Sequence, residues 1–183
     1  MKNDNILKTI GFIGLLAGVA LVLNSCKTVK VPSGINLVKP FNAKKYAGKW
    51  YEIARFDFKH EKNMKNVTAQ YTLNEDGTID VLNRGYEMDK ERWNDAKGKA
   101  QFVDDPNEGA LKVSFFGPFY AGYNVVQLEG DYEYALVFGE NKDYIWILSR
   151  TKTLPADVKA KFLKIAGDYG YDLSRLIWTQ HDN

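Results

Sequence analysis

The chain has 183 residues and a formal net charge of +2, and 45% of its residues are hydrophobic. A charge this close to neutral, without a basic block, argues against nucleic acid as a partner. Aromatic residues make up 14% of the chain, so many rings must fill a core, line a cavity or be exposed for docking.

Residues 1–25 have the pattern of a secretory signal peptide. A basic start is followed by an unbroken run of apolar or small residues over 10–23, which is too short to span a bilayer easily. The run leads into Leu23-Asn24-Ser25-Cys26, which resembles the lipobox of bacterial lipoproteins. This resemblance implies cleavage before Cys26 and acylation of that residue. A transmembrane anchor that happens to precede a cysteine is the alternative.

Cys26 is the only cysteine of the chain, so its acylation would leave no intrachain disulfide. We expect residues 26–44 to form a lipid-anchored tether and residues 45–183 to form one folded domain. In the sorting pattern of bacterial lipoproteins, Lys27 in place of aspartate favours the outer membrane. We therefore expect a membrane partner through Cys26 and a location on the periplasmic face of the outer membrane.

The pattern of the folded part predicts eight short strands separated by turn residues at regular intervals. Short connections favour antiparallel neighbours, and an up-and-down meander of eight strands can close on itself. The predicted fold class is therefore all-β, an eight-stranded antiparallel barrel. The predicted strands cover residues 49–56, 67–73, 78–86, 98–103, 110–116, 122–128, 132–138 and 144–149.

A helix is predicted after the last barrel strand. Val158, Phe162, Ile165 and Ala166 recur at helical spacing among lysines, which is typical of an amphipathic helix. Its apolar side should pack on the outside of the barrel. Residues 176–179 are predicted to form a final short strand.

Gly48 and Trp50 on the first strand and Arg150 after the eighth strand indicate how the barrel closes. If the first and last strands are neighbours, the guanidinium can lie over the indole. Such a cation–π contact contributes about 2 kcal/mol when it is shielded from water. This pair predicts the closed end of the barrel.

The sequence offers no catalytic or metal-binding motif. Its two histidines have no partner at ligand spacing, and no nucleophile elbow, phosphate loop or dinucleotide fingerprint occurs. We therefore expect no enzyme activity, no cofactor and no metal. Glu52 is the only carboxylate that strand alternation places deep in the barrel, so an enzymatic alternative would depend on it.

An eight-stranded barrel is just wide enough to hold one small ligand. Side chains alternate between the two faces of a strand, and the smaller or more apolar alternating sets are expected to face inward. A solid barrel with a packed interior is the alternative. The residues predicted to line a ligand site are Ala54, Phe56, Val67, Ala69, Tyr71, Val81, Asn83, Ala100, Phe102, Val113, Phe115, Gln127, Tyr144 and Trp146.

Residues 116–123 are predicted to form a loop. Exposed loops are usually polar, whereas this one is rich in aromatic rings. The loop could cover the barrel mouth, form a contact in a homodimer, or dock on a partner or membrane. A solid-barrel interaction module that uses this loop is therefore a further alternative.

Three regions in order resemble the signatures of the lipocalin family: Gly48-Lys49-Trp50, Asp131-Tyr132 and Arg150-Thr151. Longer matches around these regions are similar to bacterial outer-membrane lipoproteins of that family and to their relative apolipoprotein D. Gly130 departs from the threonine that usually precedes Asp131. The resemblance implies a protein that binds, stores or transports fatty acids or (lyso)phospholipids, and a structural role for Gly48, Trp50, Asp131, Tyr132 and Arg150. A lipid- or pigment-modifying enzyme in the same barrel is the alternative that the family allows.

Overall fold

The computed structural model describes residues 29–57 and 63–182, and it contains a closed antiparallel barrel. Its strands are β1 Gly48–Phe56, β2 Met64–Leu73, β3 Ile79–Glu87, β4 Arg92–Phe102, β5 Ala110–Phe116, β6 Phe119–Glu129, β7 Tyr134–Phe138 and β8 Ile145–Ser149. They pair in the order β2-β3-β4-β5-β6-β7-β8-β1, and β1 also pairs with β2. The predicted eight-stranded up-and-down barrel is confirmed.

The remaining elements lie around the barrel. A short helix α1 (Ala43–Tyr46) precedes β1, and helix α2 (Ala156–Asp168) follows β8. The ninth strand β9 (Leu176–Trp178) pairs with β1. It takes the place beside β1 that β2 leaves, because the β1–β2 pairing ends at Tyr51. Among the described residues, no helix is long and apolar enough to cross a membrane.

Two apolar clusters hold the fold together. The inner one fills the barrel around Trp50, Val125 and Val137, each with no accessible surface. The outer one joins the opposite faces of β1, β7 and β8 to the buried side of α2, with Phe162 at its centre. The predicted packing of the helix outside the barrel is therefore confirmed.

Two β-bulges reverse the alternation of side chains and make part of the sequence-based lining wrong. In β1 the register shifts between Glu52, which pairs with Leu148, and Ala54, which pairs with Ile147. Ala54 and Phe56 therefore join the outer cluster under α2. The extra residue of a bulge turns the following side chains to the other face.

A second bulge lies in β6 between Val125 and Gln127. Gln127 pairs with Leu136, which belongs to the outer cluster. Its amide donates to Glu129 Oε1 at 2.6 Å. Gln127 thus lies on the outer face, and its predicted place in the lining is wrong for the same physical reason.

The predicted ring-rich loop over 116–123 is also wrong in extent. Strand β5 continues to Phe116 and β6 begins at Phe119, and these two residues face each other across Gly117 and Pro118. The rings belong to a tight hairpin. Phe116 and Phe119 are each 77% exposed.

The barrel has two distinct ends. The closed end holds the start of β1, the β2–β3 turn and Arg150. The open end holds the β3–β4, β5–β6 and β7–β8 connections. The N-terminal segment follows the outside of the barrel toward the closed end: the Val38 amide donates to the Val125 carbonyl at 2.9 Å, and the Phe41 amide to that of Asn107 at 2.9 Å.

Candidate functional site

The closed end is sealed by Arg150. Its guanidinium lies 3.8 Å from the centre of the Trp50 ring. Its nitrogens donate to the carbonyls of Lys49 at 2.8 Å and Tyr132 at 3.1 Å, and to three carbonyls at the end of α1 and just beyond it. Those three are Lys45 at 2.7 Å, Tyr46 at 3.1 Å and Ala47 at 3.0 Å.

The other signature residues support this seal. Gly48 has a φ of +98°, a conformation that side chains disfavour, and a Cβ there would lie 3.4 Å from Arg150 Nη1. The Tyr132 hydroxyl accepts a hydrogen bond from the Asn42 amide at 2.8 Å. Asp131 pairs with Lys45 at 2.7 Å, although its side chain is largely exposed. These residues fix the closed end of the barrel.

Above this seal, three tyrosine hydroxyls form a buried chain. Tyr123 lies between Tyr46 at 2.6 Å and Tyr71 at 3.0 Å, each distance measured between hydroxyl oxygens. The Trp50 indole donates to the Tyr46 carbonyl at 2.8 Å. Burial raises the pKa of both Tyr46 and Tyr123 well above the ordinary value. The phenols therefore stay neutral and form a polar floor beneath the upper barrel.

These phenols predict a pH dependence of stability. In the unfolded chain they ionise near pH ~10, and in the folded protein only at higher pH. Their contribution to stability is therefore fully present below pH ~10 and is lost as the pH rises above it. Above that pH we expect the free energy of unfolding to fall more steeply in the wild type than in Tyr46→Phe/Tyr123→Phe, by up to about 1.4 kcal/mol per pH unit for each tyrosine. Urea titrations across this pH range would measure the free energy of unfolding of both proteins. An equal dependence on pH in the two proteins would contradict the buried chain of tyrosine hydroxyls.

The upper barrel has inward-facing side chains that keep accessible surface. Trp146 and Tyr144 stack 6.2 Å apart and are partly exposed, whereas the outward-facing Ile145 and Ile147 are each only 1% exposed. Ala96 pairs with Asn83 on the inner face and is exposed. An inward-facing side chain can be accessible only if space lies beside it. Solvent-accessible surface therefore remains on the inner face of the barrel near its open end.

The remaining predicted lining residues lie on this inner surface. Ala69, Tyr71, Val81 and Ala100 belong to the inner cluster, and Phe102, Val113 and Trp146 pack against it. Val67 packs against Gly85, which follows Asn83 on the inner face. Phe115 covers Gly98, where a Cβ would lie 2.8 Å from its ring. Ligand contact by these residues stays a prediction.

The open end carries a polar rim that sequence reasoning missed. By register, Glu87, Arg92 and Asn94 share the inner face with Val81. The Glu87 carboxylate accepts from Arg92 Nε at 3.0 Å, from the Asn94 amide at 2.9 Å and from Lys90 at 3.1 Å. Hydrogen bonds from Lys90 and then Arg92 lower the pKa of Glu87. Asp89 and Glu91 lie in the same β3–β4 connection. The rim therefore carries charges of both signs, with Lys90 and Arg92 as its largely exposed cations.

Glu52 is engaged in a buried ion pair. Its carboxylate lies 2.6 Å from Arg55 Nη1 and accepts from the Thr179 hydroxyl at 2.6 Å. The side chains of Glu52 and Arg55 are 4% and 1% exposed. The carboxylate on which an enzymatic alternative would depend is therefore held by structural partners. In the described part of the chain, no group of three or more histidine, cysteine, aspartate or glutamate residues could hold a metal ion.

The closed eight-stranded barrel and its Trp50–Arg150 seal define a lipocalin, and the chain belongs to this family. The family model described as a lipocalin-like domain matches residues 41–181. The chain is 48% identical over 161 residues to the outer membrane lipoprotein Blc of Citrobacter freundii, covering 88% of this chain and 91% of the relative. It is 33% identical to mouse apolipoprotein D, covering 78% of each chain.

Solved structures agree on the fold. Insecticyanin from the tobacco hornworm Manduca sexta superposes with a TM-score of 0.67 at 22% identity, over 84% of this chain and 87% of the insect protein. The resemblance to lipocalins drawn from the three signature regions is thus confirmed. It extends over nearly all of the described barrel.

Proposed function

We propose that this protein is a membrane-anchored carrier that binds a fatty acid or a (lyso)phospholipid in its barrel. The observation that carries the proposal is the inner surface of the upper barrel: accessible aromatic and aliphatic side chains beneath a polar rim that includes two exposed cations. An acyl chain would occupy the apolar lumen, and a carboxylate or phosphate head group would lie beside Lys90 and Arg92. Apolar lining with a few placed polar groups is what an amphiphile requires.

Two further observations support the anchor and the location. The lipobox-like segment ends at Cys26, and the similar proteins from Citrobacter freundii and Escherichia coli are named outer membrane lipoproteins. Acylation of Cys26 would attach the protein to the outer membrane. At least two acyl chains are needed for stable attachment, and the diacylglycerol of a bacterial lipoprotein supplies them.

Binding rather than catalysis is the activity that the site supports. Glu52 is paired with Arg55, and the tyrosine hydroxyls of the floor are hydrogen-bonded to one another. Displacement of a fluorescent fatty acid by unlabelled fatty acids and lysophospholipids would test the proposal. Saturable binding at micromolar protein is expected, and no binding of any of them would contradict it.

The position of the ligand can be tested by filling the lumen. Ala96→Trp places an indole on the inner face at an exposed position, so the fold should tolerate it while the ligand loses space. We expect at least about tenfold weaker binding, since excluding even a few methylenes costs about 0.8 kcal/mol each. The measurement is the same displacement titration.

Lys97→Trp is the matched control, because Lys97 is the next residue of β4, faces outward and is exposed. It should bind as the wild type does. Both variants should melt close to the wild-type temperature. Equal affinities of the two variants would show that the ligand does not occupy the upper barrel.

A further inference from the structure

Asn83 places an amide on an apolar stretch of the inner face of β3. Val81 belongs to the inner cluster, and the alternation of the strand puts Asn83 and then Gly85 on the same face. The residues that pair with Asn83 on the two neighbouring strands are Ala69 of β2 and Ala96 of β4. Their methyl groups neither donate nor accept hydrogen bonds. The amide therefore lies between two small apolar side chains in the wall of the upper barrel.

The side-chain oxygen of Asn83 has no hydrogen-bond donor in the part of the chain that the structure describes. This Oδ1 atom is buried, whereas the residue as a whole keeps some accessible surface and its neighbour Ala96 is exposed. Nearly all buried polar groups in proteins are hydrogen-bonded, because an unpaired one is costly. When no ligand is bound, water beside Ala96 can meet this need.

An acyl chain in the upper barrel changes this balance. A saturated chain displaces the water and offers only methylene groups to the Asn83 amide, so binding leaves a polar group unpaired. A hydroxyl group both donates and accepts, so it can pair with whichever end of the amide it meets. An ionised carboxylate only accepts. The partner that Asn83 lacks is therefore one that a hydroxylated chain brings and a saturated chain does not.

The position of Asn83 along β3 determines where that hydroxyl must lie on the ligand. Glu87, at the polar rim, is the last residue of β3 and follows Asn83 by four residues. Four residues of a strand span roughly 13 Å, and a strand tilt of about 40° reduces this to a depth of roughly 10 Å along the barrel axis. With the head group beside Lys90 and Arg92, this depth is reached near the middle of a long acyl chain.

We propose that Asn83 makes the barrel select acyl chains that carry a hydroxyl group near their middle. The inference rests on the proposed function, in which the head group stays at the rim and the chain enters the upper barrel. Asn83 determines specificity in both directions, because it disfavours a saturated chain and stabilises a hydroxylated one. The ligand class that it favours is a long-chain fatty acid with a mid-chain hydroxyl group.

The experiment compares stearate with 10-hydroxystearate in displacement titrations of the full-length wild type and of Asn83→Leu. Leucine is close to asparagine in size but forms no side-chain hydrogen bond. We expect the ratio of the stearate to the 10-hydroxystearate dissociation constant to fall by about tenfold in Asn83→Leu. The variant loses the bond to the hydroxyl, and it no longer buries an unpaired amide beneath stearate. A ratio equal to that of the wild type would overturn the proposal.

Two controls separate the amide from other effects. Arg84→Leu changes the next residue of β3, which faces outward and is exposed, so it should keep the wild-type ratio. The hydroxyl of 2-hydroxystearate lies beside the carboxylate, so the affinity of this isomer relative to stearate should not change in Asn83→Leu. A tenfold change for this isomer would place the head group beside Asn83 and overturn the proposal. If Asn83→Leu does not fold, Asn83→Ala gives the same comparison.

Failure of this inference and failure of the proposed function give different results. If both fatty acids bind saturably and Asn83→Leu leaves their ratio unchanged, the specificity is rejected and the carrier function stands. A water molecule that stays on Asn83 beneath a saturated chain would give this result. If neither fatty acid binds to the wild type, the carrier function is rejected and the specificity falls with it.

Discussion

Replacing Arg55 by leucine should lower the free energy of unfolding by about 3–5 kcal/mol, the usual cost of removing one partner from a buried ion pair. The Arg55 guanidinium lies 2.6 Å from Glu52 Oε1 and 3.1 Å from the Thr179 hydroxyl. Arg55→Leu would leave the Glu52 carboxylate buried, with the Thr179 hydroxyl as its remaining side-chain donor among the described residues. The effect should be large because a buried charge without its counter-ion is poorly solvated.

A second variant separates the charge effect from a loss of packing. Glu52→Leu/Arg55→Leu removes both charges, so it should be less destabilised than Arg55→Leu. Urea unfolding followed by tryptophan fluorescence gives both values. A double variant that is at least as unstable as Arg55→Leu would contradict this description of the pair.

The pair also explains why the C-terminal segment belongs to the barrel wall. The Thr179 amide donates to the Ile53 carbonyl at 3.0 Å, and the Asn66 amide to that of Gln180 at 2.8 Å. His181 Nε2 lies 2.8 Å from the Glu52 carbonyl oxygen. The segment thus bridges β1 and β2 where they separate. Loss of the ion pair should loosen this part of the wall first.

Replacing Arg150 by alanine should cost about 3 kcal/mol of stability, from about 2 kcal/mol for a shielded cation–π contact and the loss of charged hydrogen bonds that water can only partly replace. The guanidinium stacks 3.8 Å from the Trp50 ring centre and bonds five carbonyl oxygens. These bonds join α1, β1 and the β6–β7 turn. No other described side chain makes so many contacts across the closed end.

Arg150→Lys is the informative control. A lysine keeps the positive charge but cannot stack flat on the indole or reach five carbonyls with one planar group. Its stability should lie between that of Arg150→Ala and that of the wild type. If lysine restored full stability, charge alone would account for the seal. Fatty acid affinity in folded Arg150→Lys should stay within a factor of two or so of the wild type, because the seal lies below the lumen.

The architecture could be predicted from the sequence because its signals are local and repeated. Turns such as Asn74–Thr78, where Asp76 accepts from the Thr78 amide at 2.9 Å, mark strand ends regardless of the rest of the fold. The Trp50–Arg150 contact could be predicted as soon as the first and last strands were placed side by side. The outer face of β8 and the apolar side of α2 could be predicted equally well, because the periodicity of their apolar residues is not interrupted.

The site could be predicted only as far as strict alternation holds. Single extra residues in β1 and β6 turn Ala54, Phe56 and Gln127 to the outer face, and nothing in the local composition marks either bulge. The polar rim was missed for another reason. Residues 92–97 are mostly charged or polar, so β4 gave no apolar signal there, and only its register with β3 shows that Arg92 and Asn94 face inward.

Native mass spectrometry of the protein purified with its membrane would show whether an amphiphile occupies the upper barrel. We expect a one-to-one complex whose added mass is that of a fatty acid or a (lyso)phospholipid. The complex should be strongly depleted in Ala96→Trp and retained in Lys97→Trp. A wild-type protein that carries no lipid beyond its covalent anchor, and takes up none when fatty acid is added, would contradict ligand binding in the barrel.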